Sequence, residues 1–141
     1  MCLYIDKKIH GLFNRIRKAK EDIVCYKVLC VRGENLFTPY TVDEVPSQIY
    51  EGELPMVGDP LKSRRFFRRI FHSDLIEEGY IHTFRVKQCA LNATRYFERC
   101  GVETRIFECV IPKGTYYYQG TERDYASESI IFKELLGRYE S

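Results

Sequence analysis

The chain is expected to be a single α+β domain over residues 1–141, built on a mainly antiparallel sheet. Two observations lead there. Runs of β-branched and aromatic residues recur with short turns between them, and helical periodicity appears in only a few places, with no repeated βαβ order. The length of 141 residues suits one domain with a substantial core.

The elements follow in order. Asp6 to about Lys20 carries Ile9, Leu12, Phe13 and Ile16 at helical spacing, with basic residues opposite and Asp6 as a natural N-cap, which predicts an N-terminal helix. Ile23 to Val31 is almost continuously apolar or β-branched, the pattern of a strand covered on both faces. Arg32-Gly33-Glu34-Asn35 is a turn, and Leu36 to Val42 completes a hairpin. Residues 43–60 hold three Pro and two Gly and read as a long loop. Leu61 to Phe71 reads as a basic amphipathic helix, with Arg64, Arg65, Arg68 and Arg69 on one face and Phe67, Ile70 and Phe71 on another. Tyr80 to Phe84 is a short strand. Val86 to Cys100 is helical, with Cys89, Ala90, Ala93, Tyr96, Phe97 and Cys100 on one face and Gly101 placed to end it. Val102 to Ile111, Thr115 to Tyr118 and Ser129 to Lys133 are strands, though a helix over Ala126 to Leu136 also fits.

Composition limits the function. The net charge of +2 does not support general nucleic-acid binding, so any such role must come from local clustering. No stretch approaches the roughly 18 apolar residues of a membrane span, and the N-terminus lacks the order of a secretory signal. A cytoplasmic protein with no membrane partner is expected. The six cysteines include no CxxC pair, and there are three histidines. The thiols are therefore expected to be core residues, and neither a metal nor a cofactor is expected. No symmetry signal indicates an oligomeric state.

Five segments together, Met1 to Lys8, Cys25 to Leu29, Glu78 to Phe84, Glu108 to Gly114 and Tyr125 to Ser129, resemble a group of short uncharacterised proteins from bacteriophages and gut-type bacteria. That likeness implies a phage or mobile-element context, with the host cytoplasm as the location, and carries no activity. The segment order is also similar to that of compact split-sheet ADP-ribosyltransferase domains. There a His, a Tyr or Ser and a late Glu hold a dinucleotide, and His82, the Tyr116–Tyr118 strand and Glu128 occur here in matching order. The Ser-Thr-Ser element and the Glu-x-Glu pair of those enzymes are absent, and the spacing is compressed.

Four features could carry function. His82 could be a general base or a ligand anchor, or a satisfied structural residue. Glu128, beside Ser127 and Ser129, could bind a ribose or serve as a cap. Lys62, Arg64, Arg65, Arg68 and Arg69 place five positive charges in eight residues, with Phe66, Phe67 and Phe71 among them. They could hold a nucleic acid or an acidic protein, or form a solvated face. Tyr116 and Tyr118 share a strand face, as a recognition patch or as packing. The expectation is a non-enzymatic accessory protein that binds a host or phage macromolecule. The alternative is a nucleotide-binding or ADP-ribosyltransferase-like domain using His82 and Glu128.

Overall fold

The computed structural model describes residues 3–32, 35–37, 48–51, 60–62, 75–76 and 80–137, with side chains over 3–31 and 80–136. In chain order the elements are β1 (Leu3–Tyr4), α1 (Lys7–His10), β2 (Arg17–Lys18), β3 (Ile23–Arg32), β4 (Asn35–Phe37), β5 (Gln48–Glu51), β6 (Pro60–Lys62), β7 (Leu75–Ile76), β8 (Ile81–Phe84), α2 (Lys87–Arg99), β9 (Glu103–Ile111), β10 (Tyr116–Gln119), β11 (Asp124–Ser127) and β12 (Ser129–Gly137). The main sheet runs β2-β10-β11-β8-β3-β9-β12-β6, with β4 joining β3 and β5 joining β4. Every pairing in it is antiparallel. A separate pair joins β1 to β7.

Strands β3 and β9 form the spine, paired over nine positions from Ile23↔Ile111 to Val31↔Glu103. Alternation sends Cys25, Leu29, Phe107, Cys109 and Ile111 to one face, where they pack with Ala19, Ile81, Tyr125, Ile130 and Phe132. The opposite face carries Val28, Phe84 and Ile106 under α2, which presents Ala90, Ala93 and Phe97. Further along that face Tyr118 and Ala126 are covered by Leu3, Ile5 and Ile16 of the N-terminal segment. The β10–β11 ladder continues into the bend that leads to β12. The Glu128 N–H donates to the Tyr116 carbonyl at 3.1 Å, and the Thr115 and Ser129 hydroxyls lie 3.5 Å apart.

The mainly antiparallel α+β architecture matches the expectation from sequence, while the helices differ in extent. α2 falls within the expected span, but its buried stripe is narrower: Tyr96 and Cys100 are exposed, and Thr94 is buried in their place. The N-terminal helix is one turn only. Asp6 caps it, its Oδ1 accepting from the Lys8 N–H at 2.9 Å, and Gly11 then takes φ 76°, ψ 178° and stops it. Asn14 follows with φ 49°, so the chain leaves the helical path twice within four residues. Ile9 and Ile16 stay half-buried while Leu12 and Phe13 turn outward.

Residues 60–62, the start of the expected basic helix and the end of the expected loop, are instead strand β6, paired with β12. The Ser129–Ile131 stretch of β12 supplies the edge they pair with. Likewise Gln48–Glu51, expected within the loop, is strand β5. Of the expected basic helix, residues 63–71 lie outside the described residues.

Candidate functional site

His82 lies on β8 between β3 and β11, opposite Ala126. Its face of the sheet is the one shared by α2 and the N-terminal segment, and it is buried. The acid it meets is Asp124, at the first position of β11, with His82 Nε2 3.1 Å from Asp124 Oδ2. Burial pushes the imidazole below its ordinary pKa, more than the Asp124 hydrogen bond raises it, and Lys27 adds to the depression. The ring is therefore neutral near pH 7, and its Nε2–H donates to the carboxylate. Phe84 packs edge-on against it at 5.0 Å between ring centres.

Asp124 is positioned by the turn that precedes it. The Gly120 N–H donates to the Asp124 carbonyl at 2.8 Å, and Arg123 closes the turn with φ 58°. The carboxylate lies over the Gly120 Cα, where any Cβ would overlap Asp124 Oδ1 and come within 2.8 Å of Leu3 Cγ. Glycine at 120 is thus required by space.

On the far face of the same strands is a second polar group. Lys27, in the middle of β3, is 2% exposed. Its Nζ donates to the His82 carbonyl at 2.6 Å. Desolvation lowers its pKa to about 8, and the cysteines around it, Cys109, Cys25 and Cys30, oppose that shift. Burial in turn raises the Cys25 thiol to about 12, against the pull of the Thr83 hydroxyl, and raises Cys109 as well. These thiols are protonated and inert near neutral pH. All five described cysteines are free, and Cys25, Cys30 and Cys109 are buried, as core residues would be.

The other residues singled out in the sequence divide. Glu128 follows the last residue of β11, at the opposite end of that strand from Asp124, in the bend leading to β12. Tyr118 is 0% exposed, and its hydroxyl donates to the Asn14 carbonyl at 3.2 Å, so it belongs to packing and not to a recognition patch. Tyr116 is half-buried on β10 beside Lys18 of β2, whose Nζ stands 5.7 Å from the ring centre. Lys62 pairs through its backbone with Ser129. Arg64, Arg65, Arg68 and Arg69 lie outside the described residues. Asp124 and Lys27 were not singled out in the sequence. The only signal for Lys27 was a lone lysine inside an apolar run. Asp124 becomes visible only through the β8–β11 pairing, 42 residues from His82.

No family model, curated protein or solved structure matches this chain. The site must therefore be read from its own chemistry.

That chemistry includes a second buried histidine. His10 Nε2 accepts from the Gln119 N–H at 2.8 Å, so its Nδ1 carries the proton and donates to the Arg15 carbonyl at 2.8 Å. A proton added at Nε2 would face the Gln119 N–H, donor against donor. Burial lowers the His10 pKa, as it does for His82. Both groups have folded-state values below the unfolded one, so their stabilisation is complete above the unfolded pKa and is lost as pH falls through the folded values. Stability to urea is expected to drop as pH goes from about 7.5 to about 5.5, across the unfolded histidine value. His82→Gln, which keeps a donor toward Asp124, should show a smaller drop than the wild type. Equal drops in the two proteins would assign the acid sensitivity elsewhere.

Proposed function

We propose that the chain is a non-enzymatic accessory protein of phage or mobile-element type that binds a protein or nucleic acid through a basic surface bearing tyrosine. In this reading it acts in the cytoplasm, that of the host cell when phage-encoded. One observation supports it above the rest. Three stretches far apart in sequence meet around the Glu128–Ser129 bend. Arg17 and Lys18 pair with Tyr117 and Tyr116, the Tyr116 carbonyl accepts from the Glu128 N–H, and Ser129 pairs with Lys62. Cations beside an aromatic ring at a sheet end suit a polyanionic or acidic partner.

Pull-down from lysate at increasing salt tests this. The wild type is expected to retain a partner that is lost when Arg64, Arg65, Arg68 and Arg69 are replaced by Glu, and weakened by Lys18→Glu with Tyr116→Ala. Identical partners after these replacements would end the reading. A rise in melting temperature with a nucleotide, abolished by Glu128→Gln, would favour the nucleotide-handling alternative.

A further inference from the structure

Residues 7–20 contain six Lys or Arg and no Asp or Glu. Lys7, Lys8, Arg15, Arg17, Lys18 and Lys20 are all exposed. At the centre of this stretch the apolar pair Leu12–Phe13 is 80% and 73% exposed. Amphipathic spacing would have buried both in a continuous helix. They stand outward because Gly11 and Asn14, with φ 76° and 49°, turn the chain on either side of them.

The base of this tip is tied to the sheet. The Gly11 N–H donates to the Lys7 carbonyl at 2.8 Å, and the Arg15 N–H to the His10 carbonyl at 3.1 Å. The Tyr118 hydroxyl holds the Asn14 carbonyl, and the His10 ring bridges the Arg15 carbonyl and the Gln119 N–H. An anchored base keeps the two apolar side chains displayed instead of letting them fold onto the neighbouring core. An isolated exposed leucine is ordinary, whereas an adjacent Leu-Phe pair on an anchored tip, flanked in sequence by six exposed cations, is a built surface.

We infer that the Gly11–Asn14 tip docks the protein on an anionic lipid surface. Leu12 and Phe13 enter at headgroup level, and the flanking lysines and arginines meet the headgroup charge. The shape selects this partner. The apolar element is convex and only two side chains wide, so a protein would need a matching pocket, and leucine has no ring on which a base can stack. A bilayer interface conforms to any protruding apolar pair, and its anionic leaflet complements the flanking cations. No described helix is long and apolar enough to cross a membrane, and the inferred contact is a peripheral one. The expectation of no membrane partner came from span length alone, and a two-residue tip lies below what that criterion detects.

Cosedimentation with vesicles tests the inference. The full chain should sediment with phosphatidylcholine vesicles containing about 30 mol% phosphatidylserine, far less with phosphatidylcholine alone, and less as salt rises from about 0.05 to 0.5 M. Leu12→Ser with Phe13→Ser should lower the apparent affinity by at least about tenfold, because two apolar side chains no longer leave water. That variant should keep the wild-type melting temperature, since both side chains are exposed. Lys7→Glu with Lys8→Glu and Arg15→Glu should abolish capture. Replacement of Arg64, Arg65, Arg68 and Arg69 by Glu should leave vesicle capture intact, which separates this contact from the role proposed above for those four arginines.

Failure of the wild type to sediment with phosphatidylserine vesicles, or equal sedimentation of the Leu12→Ser/Phe13→Ser variant, would overturn the inference. Binding to polyuridylate or polyglutamate that depends on Leu12 and Phe13, without vesicle capture, would overturn it in favour of a nucleic-acid or protein partner.

Discussion

Gly120→Ala is expected to lower the unfolding free energy by about 3 kcal/mol, combining overpacking with loss of a charge-assisted hydrogen bond. The residue has no unusual backbone conformation to lose, so the effect is steric. The new methyl occupies the space held by Asp124 Oδ1 and presses on Leu3. Two responses are open. Asp124 can rotate away, which leaves the buried His82 Nε2–H without its acceptor. Alternatively the β10–β11 turn can lift, which breaks the Gly120–Asp124 backbone bond and the Ile5↔Gly120 bridge that fastens the N-terminal segment. Urea unfolding measures the loss. A second replacement identifies the cause: Gly120→Ala in an Asp124→Ala background should cost well under half as much, because the overlapping atom is gone. Equal costs in the two backgrounds would show that the carboxylate is not what the methyl meets.

The second large effect concerns Lys27. Its pKa of about 8, against an ordinary value of 10.5, means that the charged form is disfavoured in the fold by about 3 kcal/mol, at roughly 1.4 kcal/mol per unit. The unfolded chain holds the proton up to 10.5 and the folded chain releases it from about 8, so the lysine's contribution to stability grows as pH rises through that window. Cys25 acts oppositely: its thiol stays protonated in the fold to about 12, while the unfolded thiol ionises from 9. The two trends overlap in the wild type. Comparison with Lys27→Met cancels the thiol contribution. Between pH 7 and 9 the stability difference should shift by roughly 1 kcal/mol in favour of lysine. At pH 7 Lys27→Met should be close to neutral, since relief of the buried charge offsets a His82 carbonyl left without its donor, a loss of about 1–3 kcal/mol. Lys27→Ala adds a cavity to that loss and should destabilise by about 3 kcal/mol. Parallel pH profiles for lysine and methionine would show that the ammonium is not desolvated.

The contrast between these residues explains which parts of the molecule were legible in the sequence. Strand β3 and helix α2 could be read because burial on two faces, or on one helical stripe, writes itself into consecutive residues. The Glu103–Ile111 strand was legible for the same reason. The N-terminal segment misled because Ile9, Leu12, Phe13 and Ile16 satisfy helical spacing equally well whether or not all four are buried. The backbone at Gly11 and Asn14 made the choice, aided by the anchor from Tyr118, more than a hundred residues away in sequence. His82 was visible as a lone titratable group on a short strand. Its partner was not, because local sequence favours the nearby Glu77, Glu78 or the hydroxyl-flanked Glu128, and only strand pairing brings Asp124 beside it. The charge on Lys27 was hidden by its apolar neighbours, which are also the cause of its displaced pKa.

The ends of the main strand path bear on how the molecule behaves in concentrated solution. At one end β2 is two residues long, Arg17 and Lys18, both exposed. At the other, β6 begins with Pro60, which has no amide hydrogen to offer. A short, like-charged strand repels a second copy approaching edge to edge, and a proline interrupts the ladder such a copy would need. At these two margins a second copy of the chain therefore finds a poor template for edge-to-edge pairing.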